Sequence, residues 1–293
     1  MVSLLNQFKN YKVRPNKRLG QNFLVDEGIL DEIIDLYDLK KDEVIVEIGA
    51  GLGALTTRLA SRVRKVLAIE IDNALVDLLK NKIIKDKSIE VINEDILSFD
   101  FSKVAELYGC KIKVLGNIPY SISAPLLFKL LEYKNYLSMA ILMFQKEVAN
   151  RLVANPGTKD YGVLSVFSQI SAAVSKELLI PRYSFYPQPK VDSAVVRFVF
   201  SDSFIKGIKD ERIFKRVVRA SFAQRRKTLK NTLKNTLNLD IIFSDVLNAV
   251  KACGIDPERR GETLNLEEFK DLANCLADNK KGFKMKKISE KNS

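Results

Sequence analysis

Histidine and tryptophan are missing altogether from this 293-residue chain. Without histidine the commonest general base of catalysis is gone, and a zinc site of the usual ligand types is nearly excluded. Cysteine is scarce. Cys110, Cys253 and Cys275 stand far apart, form no C-x-x-C pair and read as buried structural thiols. No apolar run approaches the length that spans a bilayer, and the opening MVSLLNQFKNYKVRPNKR has no apolar core followed by a small-residue cleavage site. The expectation is a cytoplasmic protein with no membrane association. What the chain does have is charge of one sign: 48 Lys and Arg against 36 Asp and Glu, a formal net charge of +12. An excess of this size suits a polyanionic partner, nucleic acid before membrane, although its distribution says more than its total.

The length accommodates one large core and a smaller second domain. Short β-rich runs EVIVEI (43–48), VLAIEI (66–71), IEVIN (89–93), KIKVLG (111–116) and MAILMF (139–144) alternate with helical patterns at 54–63, 73–85 and 123–131. Strands apolar on both faces and separated by helices predict a parallel sheet covered on two sides, a doubly wound α/β domain. Helical patterns follow at 146–154 and 163–174, and 193–200 reads as a last strand. Beyond Ser201 the pattern is helical only, at 210–223, 227–237, 244–253 and 266–277, so a small all-α domain follows a boundary near 201–209. The lysine-rich stretch after Asn279 has no periodicity and reads as a disordered basic tail.

The first strand runs into Glu47-Ile-Gly49-Ala-Gly51-Leu-Gly53 ahead of a helix. Glycines there let the backbone turn sharply and approach a ligand at a helix N-terminus. With Glu70 downstream, the loop fits a dinucleotide fingerprint; with its acid two residues ahead of the first glycine, it equally fits S-adenosylmethionine enzymes. The other strand ends discriminate. Glu70 can accept ribose hydroxyls, Asp95 can accept from an adenine amine, and the fourth strand ends in Asn117-Ile118-Pro119-Tyr120. Polar or glycine ligands at four consecutive strand ends point to cofactor binding at the carboxyl edge of the sheet.

The last of these stretches suits methylation of an adenine N6 amine, chemistry that needs no metal. The Asn117 side-chain oxygen and the Ile118 carbonyl can each accept one N6–H, which makes the nitrogen lone pair available to a sulfonium methyl. Pro119 keeps Ile118 out of the helical region, and Tyr120 offers a face for a splayed-out base, worth about 1–3 kcal/mol. Basic residues Arg225, Arg226, Lys227, Lys230 and Lys234 cluster at a C-terminal helix, with Lys227, Lys230 and Lys234 spaced for one helix face and suited to phosphate contact.

Asn-Ile-Pro-Tyr with the glycine loop resembles the family of ribosomal RNA adenine N6-dimethyltransferases. Supporting stretches are Lys17–Leu24 (KRLGQNFL), Phe185–Ser193 (FYPQPKVDS) and Phe222–Leu233 (FAQRRKTLKNTL), and the likeness runs from about residue 14 to 270. The resemblance implies a Rossmann-like S-adenosylmethionine-dependent methyltransferase domain at 25–203, a cofactor-closing segment at 1–24, a helical RNA-binding domain at 204–279 and a tail at 280–293. It implies that Gln21, Asn22 and Leu24 close over the cofactor beside Gly49, Gly51, Gly53, Glu70, Asp95 and Asn117. Phe185 would supply a second aromatic opposite Tyr120. By resemblance to the housekeeping branch, the substrate is two adjacent adenosines near the 3′ end of small-subunit (16S) ribosomal RNA, the partner is the small subunit, and the enzyme is a monomer acting in ribosome biogenesis. Gly20, Pro125-Leu-Leu-Phe128 and the arginine-rich C-terminal motif favour that branch over the antibiotic-resistance relatives that act on large-subunit RNA. A non-catalytic assembly factor fits less well, since it predicts degraded cofactor positions, and an NAD-dependent dehydrogenase gives Asn-Ile-Pro-Tyr no role.

Overall fold

The structure, a computed structural model, describes residue 6 and residues 10–201, 207–236 and 243–289. The chain divides into two compact units, 1–150 with 171–201, and 151–170 with 202–293. In the first, strands β1 (Phe23–Leu24), β2 (Val44–Ile48), β3 (Lys65–Glu70), β4 (Ile89–Asn93), β5 (Ile112–Asn117), β6 (Leu137–Gln145), β7 (Ala172–Ile180), β8 (Phe185–Tyr186) and β9 (Ser193–Phe200) form two sheets. Seven strands run in the order β4-β3-β2-β5-β6-β9-β7, while β1 pairs with β8. All five residues of β2 are buried, as a strand covered on both faces requires. Helices α1 (Glu27–Asp35), α2 (Ala54–Ala60), α3 (Asn73–Leu78), α4 (Phe101–Tyr108) and α5 (Ser123–Glu132) connect and cover the strands.

The parallel expectation holds for β4, β3, β2, β5 and β6 and fails at the far edge. There β9 runs antiparallel to β6, and β7 antiparallel to β9. Helix α6 (Lys146–Leu152) is followed by α7 (Val163–Ser171), and the chain turns to strand at Ala172, two residues before the expected end of that helix. As the edge strand, β7 is buried only at its two ends, Ala172 and Ile180, and the residues between them are half-buried or exposed instead of forming a solid apolar run. From β2 the chain steps outward through β3 to β4, then returns to β5 on the other flank of β2. This reversal leaves a crevice at the carboxyl ends of β2 and β5. The register puts Ile48 beside Ile69 and Gly116, and Asn117 beside Met143, so the polar strand ends lie level around it.

The second unit holds α8 (Glu211–Phe222), α9 (Leu229–Thr236), α10 (Phe243–Ala252) and α11 (Leu266–Ser289). Residues 151–170, assigned by sequence pattern to the first domain, group with these helices because their rings pack there. Phe167 meets Phe214 at 6.2 Å and Tyr161 meets Phe222 at 5.8 Å, while the Tyr161 hydroxyl donates to the Leu264 carbonyl at 3.0 Å. Asp210 caps α8 through the Arg212 and Ile213 amides. The helix α11 continues to Ser289 where a structureless tail was expected; lysine and methionine are good helix formers and no proline intervenes. Residues 290–293 of that tail, like 1–5 and 7–9 of the N-terminal segment, lie outside the described residues. The cysteines are half-buried, not buried, and Cys253 Sγ lies 3.1 Å from Cys275 Sγ. Among the described residues no helix is long and apolar enough to cross a membrane.

Close approach fixes one glycine of this unit. A Cβ on Gly261 would lie 2.3 Å from the Ser221 carbonyl oxygen, backbone that cannot swing aside. Gly261→Ala is therefore expected to destabilise the helical unit by about 1–3 kcal/mol. Thermal melting followed by circular dichroism checks this as a lower midpoint for the helix-rich transition.

Candidate functional site

The crevice is a cavity of about 200 Å³. Its floor begins where β2 stops. Gly49 and Gly51 both take left-handed backbone, with φ of 71° and 59°, and a Cβ on Gly51 would stand 3.0 Å from the Phe23 ring. The loop is thus a cradle open only because side chains are missing from it. Its amides tie to the next strands, with the Gly49 amide donating to the Ile69 carbonyl at 2.8 Å and the Gly51 amide to Glu70 Oε2 at 2.9 Å.

Glu70, at the end of β3, is buried and accepts three backbone N–H groups, from Gly51, Ile71 and Asp72. Burial pushes its carboxyl above the ordinary range, and the bonds from Asp72 and Gly51 pull it partly back. A carboxylate offers about four lone-pair sites, so capacity remains for a ligand hydroxyl. Asp95, exposed beyond β4, accepts from the Leu97 amide at 2.9 Å in a tight turn that fixes its carboxylate at the cavity rim. Asn117, the last residue of β5, donates its side-chain Nδ2 to the Asn22 carbonyl at 2.8 Å. The segment carrying Asn22 is itself anchored, because Gln21 Nε2 donates to Asp72 Oδ2 at 2.9 Å.

The structure brings Gln21, Asn22, Gly49, Gly51, Glu70, Asp95, Asn117, Ile118, Pro119 and Phe185 to this one cavity. Two expected site residues stand apart, and a third is not fully described. Leu24 is core, paired with Phe185 across β1 and β8, and walls a smaller adjoining cavity of about 50 Å³. Gly53 caps α2 with left-handed backbone and reaches neither cavity. Tyr120 opens a short 3-10 turn, and its side chain lies outside the described ones. Phe185 is 4% exposed and belongs to the core cluster, so it shows the cavity little more than an edge; the ring exposed beside it is Tyr186. Phe23, Asp72 and Glu47 also shape the site. Of these, Glu47 stood in a motif as the acid before the glycines and Phe23 lay within KRLGQNFL, whereas Asp72 was marked by neither.

The basic cluster is not one uniform face. Arg225 donates Nη2 to the Lys159 and Tyr161 carbonyls at 2.5 and 2.8 Å, binding the segment 159–161 to its own unit. Lys230 lies 3.8 Å from Glu258, and Lys234 lies over the Phe243 ring. Lys227 closes a turn with Gln224 and precedes α9, which starts at Leu229, so it does not share the helix face expected for it. Arg226 and Lys227 are exposed.

Glu47, next to last in the buried strand β2, walls the smaller cavity with Leu24 and Asn117. Its Oε2 is buried with no hydrogen-bond partner, and burial pushes the carboxyl up to about 8. The unfolded chain releases that proton near 4.5, so between those values the folded state holds a proton that the unfolded state has lost. Glu47 therefore removes about 1.4 kcal/mol of stability per unit as pH rises through this window. Glu47→Gln is expected to melt with the parent below pH 4.5 and above it beyond pH 8, the difference growing in between. Parallel melting across that range checks it.

Comparison with known proteins places this geometry. The family model for ribosomal RNA adenine dimethylase matches residues 12–278. The ribosomal RNA small subunit methyltransferase A of Geobacter metallireducens is 44% identical over 265 residues, covering 90% of this chain and 96% of that one. Among solved structures, a dimethyladenosine transferase from Plasmodium falciparum superposes with a TM-score of 0.74 at 29% identity, over 88% of this chain and 97% of its own. The 23S rRNA methyltransferase ErmE gives 0.65 at 26% identity, over 87% and 99%. A match spanning both units, with the glycine loop and the Asn-Ile-Pro-Tyr corner meeting at one crevice, assigns the chain to the ribosomal RNA adenine dimethylase family of methyltransferases.

Proposed function

We infer that this chain dimethylates the N6 amines of two adjacent adenosines near the 3′ end of small-subunit (16S) ribosomal RNA, using S-adenosylmethionine, as the small subunit matures. The observation that carries the reading is the Asn117 amide. Its nitrogen is committed to the Asn22 carbonyl, so its oxygen is the end available as acceptor at a cavity built from four strand ends.

The residues present fit the cofactor on two counts. A Cβ on Gly51 would press on the Phe23 ring at 3.0 Å, and Glu47, whose Oε2 is buried without a partner, walls the adjoining cavity, where its carboxylate would suit an ammonium group. Glu70 would hold a ribose hydroxyl and Asp95 the adenine amine, with Gly49 and Gly51 lying against the chain between them. When bound, the cofactor supplies a sulfonium methyl that is positively charged and ready for transfer to nitrogen.

The chain's own part is placement and electrostatics, which suits a protein with no histidine. The Asn117 oxygen and the Ile118 carbonyl each accept one N6–H of the target adenine. This withdraws the amine from conjugation with the ring and aims its lone pair. Pro119, with φ of −55° and ψ of 135°, turns the chain directly after that carbonyl. A base must leave its stack to reach such a crevice, which favours an unpaired adenine in folded RNA. The exposed Arg226 and Lys227 contact phosphate, while Arg225 holds its own unit together.

The substrate is tested by labelled methyl transfer to unmethylated small subunits, large-subunit RNA and a short adenine-bearing oligonucleotide. Label only on the small subunit, as two adjacent dimethylated adenosines, is expected; label on large-subunit RNA would move the chain to the resistance branch. Asn117→Ala should cut transfer by about 10²-fold or more while lowering the melting midpoint only modestly through the lost bond to Asn22, and unchanged turnover would sink the N6 mechanism. Replacing Arg226 and Lys227 together with Ala should weaken RNA binding and flatten the slope of log affinity against log salt by about 1.5. Arg225→Ala should instead lower the melting midpoint of the helical unit.

A further inference from the structure

A chain of hydrogen bonds joins the ends of β3 and β5 through the N-terminal segment. The Asp72 amide donates to Glu70 Oε1 at 3.0 Å, and Gln21 Nε2 donates to Asp72 Oδ2 at 2.9 Å. Gln21 Oε1 in turn accepts the Asn16 amide at 2.7 Å. One residue on, the Asn22 carbonyl accepts Asn117 Nδ2 at 2.8 Å. Strand pairing of this segment begins only at Phe23, and Gly20 takes left-handed backbone, so beyond a 3.4 Å bond from the Gln21 amide to the Asn16 carbonyl, side-chain bonds hold Gln21 and Asn22 in place of a ladder.

Asp72 already caps α3, with Oδ1 accepting the Ala74 amide at 3.0 Å. Asn or Ser would cap as well. What those residues do not offer is a second, charged oxygen for the Gln21 amide, a bond of the stronger charge-assisted kind. The direction of the Asn22 carbonyl matters because an amide has one donor end and one acceptor end. Were the Asn117 amide reversed, its oxygen would face the Asn22 oxygen and its N–H groups would face the substrate amine, repulsive on both sides.

We propose that Gln21 and Asp72 are positioning residues for methyl transfer: their hydrogen bond holds the Asn22 carbonyl where it fixes the Asn117 amide with its oxygen toward the target amine. The pair thereby couples the strand end that carries Glu70 to the group that accepts a hydrogen bond from the substrate N6–H. This rests on the function proposed above.

The polarity of the pair gives the test. Gln21→Glu sets two carboxylates against each other, and Asp72→Asn sets two amide donors against each other while keeping a good helix cap. Together they restore the bond with donor and acceptor exchanged, the glutamate still accepting the Asn16 amide and the asparagine still capping Ala74. The readouts are kcat and KM for methyl transfer to unmethylated small subunits, the dissociation constant for S-adenosylhomocysteine by calorimetry, and the melting midpoint. Each single variant is expected to lose at least about tenfold in kcat, with cofactor affinity and melting changed far less, and the double variant to recover to within about twofold of the parent. Asp72→Asn at parental kcat would overturn the proposal, since a cap alone is indifferent to that change. A double variant no better than the worse single, or a loss confined to cofactor affinity, would do the same. If Gln21→Glu fails to fold, Gln21→Met removes both polar ends and must show the same loss of kcat. An inert parent would overturn the functional reading together with this one, whereas an active parent with fully active single variants overturns the latch alone.

Discussion

The site depends on one bond, from the Asn117 side-chain nitrogen to the Asn22 carbonyl. It joins residues 95 positions apart in the chain and decides which end of a primary amide the cavity sees. Everything needed to hold it comes from the sheet. The buried β2 and β5 run side by side in register, so the glycine loop and the Asn-Ile-Pro-Tyr corner emerge at the same level. The short β1–β8 pair then carries the N-terminal segment back over their ends.

The molecule gathers polar groups where a parallel sheet leaves backbone amides unpaired. Glu70 absorbs three such amides, one beyond β2 and two beyond β3, Asp72 and Asp95 absorb others, and the carbonyls of Ile69 and Met143 take the amides of Gly49 and Ile118. Each acid thus satisfies local backbone before any ligand arrives, which fixes its side chain in advance. Glu47 is the exception. Buried near the end of its strand with an unpartnered oxygen, it costs the fold stability as pH rises.

Much of this was legible in the sequence because it is local. Runs apolar on both faces marked the five parallel strands, and the residues ending them marked the cavity. What escaped depends on distant partners. Nothing in SerAlaValValArgPheValPhe says that β9 inserts antiparallel between β6 and β7. The resemblance gave Phe185 a stacking role without showing that its pairing with Leu24 sets it in the core at the cavity wall. Arg225 looked like its neighbours and is consumed by two carbonyls some sixty residues earlier. The Gln21–Asp72 bond spans 51 positions, and no motif joins the two residues.

The most direct test of the Asn117 orientation is a crystal structure with S-adenosylhomocysteine and adenosine bound, at a resolution that assigns the amide from its contacts. The expected result is Nδ2 still on the Asn22 carbonyl and Oδ1 within about 3.2 Å of the adenosine N6. An amide turned the other way, or a segment 16–22 withdrawn from Asn117 with the adenosine still in place, would contradict it.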